Sequence, residues 1–212
     1  MVLRFRTRRF AASAAAATMA VSAMTAAVGV APPAAAATKA EKRQWAKTRV
    51  YVQGDSLTVG SAAPLRSQLS GKVRRTTVDA AIGRHTTTGL ARMAKDPRAR
   101  RSQVWVVALG TNDAPDPGAI RNHVRRSLRL AGPRRDVIWL TLRRPGGYDR
   151  VNSMLRTMDR NRERLHVVDW ARKTHSSGWL LRGDGVHATH NGYRTRAQMI
   201  TQTTLAVAGD PR

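Results

Sequence analysis

The sequence predicts an α/β domain built on a doubly wound parallel sheet. Three observations carry this. Short runs rich in Val, Ile, Leu and Trp show little alternation, as strands covered on both faces do. Helical patterns separate these runs, giving the βαβ rhythm that places strands parallel. No internal repeat or linker breaks the pattern, and the length beyond the N-terminal segment suits one core.

Taken in order, strands are expected at 49–53, 73–78, 103–109, 136–142 and 165–169. Helices are expected at 62–69, 87–95, 117–130, 149–161 and 191–207. The third of these starts after Asp116, an N-cap with Pro117 in the first turn, and stops before Gly132-Pro133. Residues 38–48 read as a charged lead-in, and 49–212 as the domain.

Residues 1–37 read as a secretory signal peptide. Arg4, Arg6, Arg8 and Arg9 form a positive head, an uncharged Ala-rich stretch follows, and Ala35-Ala36-Ala37 offers small residues for cleavage. Thr7-Arg8-Arg9 matches a twin-arginine signal only in part. The stretch is long enough to span a bilayer, but alanine is a weak hydrophobe, so cleavage is expected rather than an anchor. The expected location is therefore secreted or wall-associated. With no cysteine in the chain, disulfides and thiolate metal sites are excluded.

The chain carries 38 basic and 13 acidic residues, a net charge of +25; without the four leader arginines it stays near +21. Such a charge favours anionic surface polymers. The basic residues fall in short clusters, with no zinc-finger, helix-turn-helix or RNA-binding signature, so no specific nucleic-acid partner is expected.

Three blocks carry chemistry. Gly54-Asp55-Ser56-Leu57 follows the first strand, Gly110-Thr111-Asn112-Asp113 follows the third, and Asp184-Gly185-Val186-His187 precedes the last helix. A hydroxyl nucleophile, an amide donor, and an acid and base three residues apart are the parts of an acyl-transfer site. Each lies where a strand or loop meets the crevice of an α/β sheet. Ser56 alone reads equally as a helix cap, and Asn112 alone as a turn residue. Gly83, after the second strand, offers a backbone N–H as a further oxyanion donor. The Gly-x-Ser-x-Gly elbow of ordinary α/β-hydrolases is missing. Asp184, His187 and His190 form the only local set suggesting a metal, and no further ligand cluster accompanies them.

Together these blocks resemble the SGNH hydrolases, also called the GDSL esterase/lipase family, over roughly residues 50–205. The resemblance implies a three-layer α/β/α sandwich with a flavodoxin-like, five-stranded parallel sheet. It implies a triad of Ser56, Asp184 and His187, an oxyanion hole of Ser56, Gly83 and Asn112, and no metal or cofactor. Val167 to Trp170, Gly192-Tyr193, Asp79 and Asn152 are similar to the SGNH domains of bacterial cell-surface acyltransferases. Ala188 stands where that group commonly has proline. Asp169 reads as a structural carboxylate, and His85 as an exposed loop residue. The leading expectation is an exported, monomeric serine esterase acting on small acyl esters, acetyl above all. The alternatives are an O-acyltransferase on cell-wall polysaccharide and a non-catalytic wall-binding protein.

Overall fold

A computed structural model describes residues 36–210. Nearly all of the expected signal peptide, residues 1–35, lies outside the described residues, as do 211–212. Five strands, β1 Arg49–Gly54, β2 Arg75–Ala80, β3 Val104–Ala108, β4 Asp136–Leu140 and β5 Leu165–Val168, form one sheet in the order β2-β1-β3-β4-β5. All neighbours pair in parallel. Helices α1 Lys39–Lys47, α2 Ser56–Leu69, α3 Thr86–Lys95 and α4 Pro97–Arg100 belong to the first half of the chain. Helices α5 Pro117–Ala131, α6 Asp149–Arg160, α7 Trp170–Ser176 and α8 His190–Gly209 belong to the second, with a 3-10 turn at Gly178–Leu180.

Alternate residues of each strand feed opposite cores. Trp105, Val107, Val137 and Trp139 pack with Leu90, Met93, Ile120, Val124 and Leu155 of α3, α5 and α6. Val104, Val106, Ile138 and Leu140 pack with Leu65, Leu69, Ala197 and Ile200 of α2 and α8. The result is the expected three-layer α/β/α sandwich. Both strand faces are buried, which is why the central strands are apolar throughout.

Strand order reverses between β1 and β3: β2 lies on one side of β1 and every later strand on the other. A crevice opens beside the carboxyl ends of strands at such a switch point. The blocks at Gly54 and Gly110 follow these two strands, so chain order alone brings them together.

Element boundaries differ from expectation in identifiable places. Helix α2 begins at Ser56 rather than 62. Gly60 and Pro64 weaken its helical pattern, each costing helix propensity, yet Gly60 leaves room that Tyr193 of α8 occupies. Strand β2 runs two residues later than 73–78, as expected of a half-exposed edge strand with a weak pattern. The charged lead-in contains α1. A Thr38–Glu41 capping box starts it, and the Trp45 indole N–H donates to Leu205 O of α8 at 2.7 Å. Among the described residues no helix is long and apolar enough to cross a membrane.

Candidate active site

Ser56 is the first residue of α2. Asp55 caps the helix, its Oδ1 accepting the Leu57 N–H at 3.0 Å. The Ser56 N–H finds no acceptor among the described residues. A 14-residue helix places partial positive charge at this end, where a developing oxyanion is favoured. Gly54 is required for the tight strand-to-helix passage: a Cβ there would lie 2.0 Å from Thr58 Oγ1.

The last block folds as a turn that meets Ser56. His187 Nε2 stands 3.3 Å from Ser56 Oγ, and His187 Nδ1 stands 2.6 Å from Asp184 Oδ2. The short contact to a carboxylate places the imidazole proton on Nδ1, leaving the Nε2 lone pair toward the hydroxyl. Asp184 Oδ1 also accepts the Val186 and His187 N–H groups, each at 2.9 Å. The His187 ring bond, followed by these two backbone bonds, holds the Asp184 carboxyl down at about 2. It is therefore ionised at neutral pH. A Leu181–Ala188 bridge closes the base of the turn, with the Arg182 N–H donating to His187 O at 2.7 Å. Ala188 is fully buried there. The triad is open: the His187 and Asp184 side chains are 41% and 47% exposed.

Asn112, after β3, reaches the loop after β2 that contains Gly83. One Asn112 amide N–H donates to Arg84 O at 3.2 Å, leaving the second for a ligand. Gly83 has φ +71, a left-handed conformation that glycine adopts without strain. Its N–H finds no acceptor among the described residues. The Ala81 N–H donates to Gly54 O at 3.2 Å, which seats this loop beside the strand end that leads to Ser56. The loop is braced from below: Arg84 pairs with Asp79 at 2.9 Å, and Asp79 also accepts Arg92 at 3.0 Å. Burial raises the Asp79 pKa, but the bonds from Arg92 and Arg84 outweigh it and leave the pKa lowered.

The other polar residues noted in sequence are structural. Asp113 ties the third block to the start of α3, accepting from Thr86 N–H and hydroxyl and contacting His85 Nδ1 at 3.0 Å. His85 thus precedes α3 as the partner of Asp113. His190 opens α8 and takes no part in the Ser56–His187–Asp184 relay. No group of three potential metal-ligating side chains occurs among the described residues. Asn152 clamps the end of β4 with both amide atoms on the Leu142 backbone, at 2.7 and 2.9 Å. Asp169 caps α7 and takes a two-pronged bond from Arg156 at 2.7 and 2.9 Å. Burial raises the Asp169 pKa, but the Arg156 bond and the neighbouring donors more than offset this, so it is lowered.

Three features escaped the sequence reading. Arg196 of α8 is fully buried under α2, with its guanidinium 3.4 Å from Leu57 O and 3.3 Å from Ser61 Oγ. It is the countercharge to buried Asp55. Burial raises the Asp55 pKa while Arg196 opposes the rise, and burial lowers Arg196 to about 10. The signal was positional, since Arg196 lies one turn from Gly192 and from Ile200 on the buried face of α8. Second, the loop after β4 makes a basic pocket of about 460 Å³, lined by Arg143, Arg144, Arg156, Arg172 and His175 among others. Arg144 donates to Thr111 O at 2.8 Å, and Pro145 lies against Gly185, so this pocket adjoins the blocks at Gly110 and Asp184. Third, Trp179 is 65% exposed just before the triad turn, and its carbonyl accepts from Thr189.

No protein-family model matches the chain. It is 27% identical over 138 residues to the O-acetyltransferase OatA of Staphylococcus aureus strains NCTC 8325 and COL. That match covers 65% of this chain but only 21% of the relative, about a fifth of its length. The C-terminal catalytic domain of Streptococcus pneumoniae peptidoglycan O-acetyltransferase A superposes with TM-score 0.64 at 18% identity, over 77% of this chain and 94% of that domain. A lipase/acylhydrolase from Enterococcus faecalis gives 0.65 at 17% identity, over 76% and 96% of the two chains. A carbohydrate esterase family 3 protein from Talaromyces cellulolyticus gives 0.62 at 18%, over 78% and 100%. With its Ser–His and His–Asp hydrogen bonds in place, the chain has the SGNH/GDSL esterase-lipase fold and is related to bacterial cell-surface O-acyltransferases such as OatA.

Proposed function

We propose that this protein is an exported serine O-acyltransferase that moves an acetyl group onto a hydroxyl of a cell-wall polysaccharide through an acetyl-Ser56 intermediate. The observation that carries the proposal is the continuous Ser56–His187–Asp184 relay at the start of α2. In the first half-reaction Ser56 Oγ attacks the acetyl carbonyl of a donor ester while His187 Nε2 takes its proton. The oxyanion is received by the Ser56 and Gly83 N–H groups and the free N–H of Asn112. The donor oxygen then leaves with the proton from His187. In the second half, His187 takes a proton from a glycan hydroxyl, the resulting nucleophile attacks acetyl-Ser56, and the proton returns to Ser56 Oγ. Asp184 keeps the imidazole in the required tautomer and balances its charge. No step calls for a metal or cofactor.

Transfer is favoured over simple hydrolysis by the sequence relation to OatA and by the shape of the site. The triad is open, as a polymer substrate requires. The adjoining 460 Å³ pocket is broad enough for a sugar ring; Arg156 and Arg172 in its lining are paired with Asp169, and Arg143 and Arg144 are the arginines placed to meet a carboxylate of wall material. Hydrolysis by the same acyl-enzyme is the competing outcome. The test supplies nitrophenyl acetate labelled in the acetyl group, with and without soluble wall glycan, and follows the label. Label on glycan hydroxyls supports transfer. Label released wholly as acetate at saturating glycan assigns the protein as an esterase.

A further inference from the structure

The basic charge of this chain is gathered by its topology. Because all five strands are parallel, the residues that precede them share one edge of the sheet, opposite the crevice. Hydrogen bonds fix the alignment there. The Arg74 N–H donates to Thr48 O at 2.9 Å, Gln103 N–H to Arg49 O at 3.0 Å, Asp136 N–H to Gln103 O at 3.1 Å, and Val137 N–H to Arg164 O at 2.9 Å. In sheet order this edge presents Arg74 and Arg75, then Arg49, Arg101, Arg134 and Arg164.

Two facts set this edge apart from an ordinary solvated face. Arg49 and Arg75 are in direct register on neighbouring strands, a like-charge placement that disfavours the folded sheet. And the arginines enclose space. A cavity of about 320 Å³ is lined by Arg49, Arg74, Arg75, Arg98 and Arg101 with Thr77 and Ser102, and a second of about 300 Å³ adjoins it through Arg75 and Arg98. Of these, Arg98 is neutralised by Asp96 at 2.7 Å. The acidic side chains nearby are Asp96, the buried Asp136, which contacts His166 at 3.2 Å, Asp159, which accepts the Val167 N–H at 3.2 Å, and exposed Glu163. They leave the edge strongly positive.

We propose that this edge is a second binding site, for a linear phosphate-bearing wall polymer. Guanidinium groups bind phosphate oxygens in pairs. Five strands spaced about 4.8 Å apart make a row roughly 19 Å long, matched to an extended polyanion rather than to a single ion. No aromatic side chain lines either cavity, whereas single-stranded nucleic acid is bound on stacking platforms. Strands of five or six residues separate the row from Ser56 by roughly 17–20 Å. The row therefore tethers the protein to the wall and leaves the crevice free. This goes beyond the acyl-transfer proposal and does not depend on it.

The experiment measures binding of fluorescein-labelled poly(ribitol phosphate) by polarisation, from low to high salt. Three proteins are compared: the parent, an edge triple Arg49→Gln/Arg75→Gln/Arg101→Gln, and a control triple Arg121→Gln/Arg125→Gln/Arg129→Gln on the exposed face of α5. Both triples remove the same charge. The edge triple should lose at least tenfold in affinity and flatten the log–log salt slope by about 2; the control should change less than threefold. Nitrophenyl acetate turnover should be equal in all three, which shows that the edge variant is folded. Equal losses in both triples, or no binding by the parent at low salt, would overturn the site. Tighter binding of a single-stranded oligonucleotide with the same number of phosphates would reassign it to nucleic acid.

Discussion

Replacing Arg196 by Met should destabilise the protein strongly and in a pH-dependent way. Arg196 is fully buried, and its two hydrogen bonds, at 3.4 and 3.3 Å, are long. Little stability rests on them. The larger effect is on Asp55, which is 0% exposed and whose Oδ2 has no hydrogen-bond partner. Removing one member of a directly bonded buried ion pair costs about 3–5 kcal/mol; Arg196 acts on Asp55 through space without a direct bond, so the loss belongs at the low end of that range. For a domain of this size each kcal/mol shifts Tm by about 2–4 °C, so a loss near 3 kcal/mol lowers Tm by roughly 6–12 °C. Burial already raises the Asp55 pKa, and loss of the opposing Arg196 charge raises it further. A carboxyl with a raised folded pKa favours the fold while protonated and loses that contribution as pH rises. The deficit of the variant should therefore be larger at pH 7 than at pH 5. Urea unfolding followed by circular dichroism at both pH values, with Asp55→Asn as second site, is the assay. In the Asp55→Asn background the Arg196→Met cost should fall by at least half. A loss below 1 kcal/mol at pH 7, or an undiminished loss in the Asp55→Asn background, would show that the pair does not carry the first turn of α2.

Further outcomes follow from the same geometry. Ser56→Ala should abolish ester turnover with an unchanged circular dichroism spectrum, since the half-exposed hydroxyl leaves no core cavity; activity in a clean preparation would exclude Ser56 as nucleophile. Asn112→Ala should lower kcat by roughly 10²-fold with little change in KM, because its free N–H meets charge only near the transition state; a rise in KM at constant kcat would make it a ground-state contact. Asp184→Asn should lower kcat by about 10³–10⁴-fold through loss of the Nδ1–H tautomer. Because the folded Asp184 pKa is lowered to about 2, its contribution to stability is present above the ordinary carboxylate range and fades as pH falls toward 2. The variant should show a shallower loss of stability below pH 4 in acid titration; an identical acid limb would remove the Asp184–His187 bond from the account.

The sheet was legible because β3 and β4 are buried on both faces and so written in Val, Ile, Leu and Trp. The order of the three chemical blocks was legible because each follows a strand or a glycine turn. Helix α1 was hidden by its charge, although the Thr38–Glu41 capping box was present in the sequence. Helix α2 started unseen because Gly60 and Pro64 depress propensity where packing against Tyr193 overrides it. Helix α7, seven residues long, carries too few positions for a period to emerge. The Asp55–Arg196 pair and the arginine edge were illegible for a different reason. Each brings together charges far apart in sequence, 141 positions in the first case, in a placement that only the tertiary arrangement creates.

The central claim is that Ser56 carries the acyl group between two alcohols. Rapidly quenched mass spectrometry after mixing the protein with an activated acetyl ester tests it most directly. The account predicts one acetyl group on the peptide containing Ser56, absent in Ser56→Ala, and chased onto glycan hydroxyls when wall glycan is added. A protein that turns over ester without ever holding acetyl at Ser56 would contradict it.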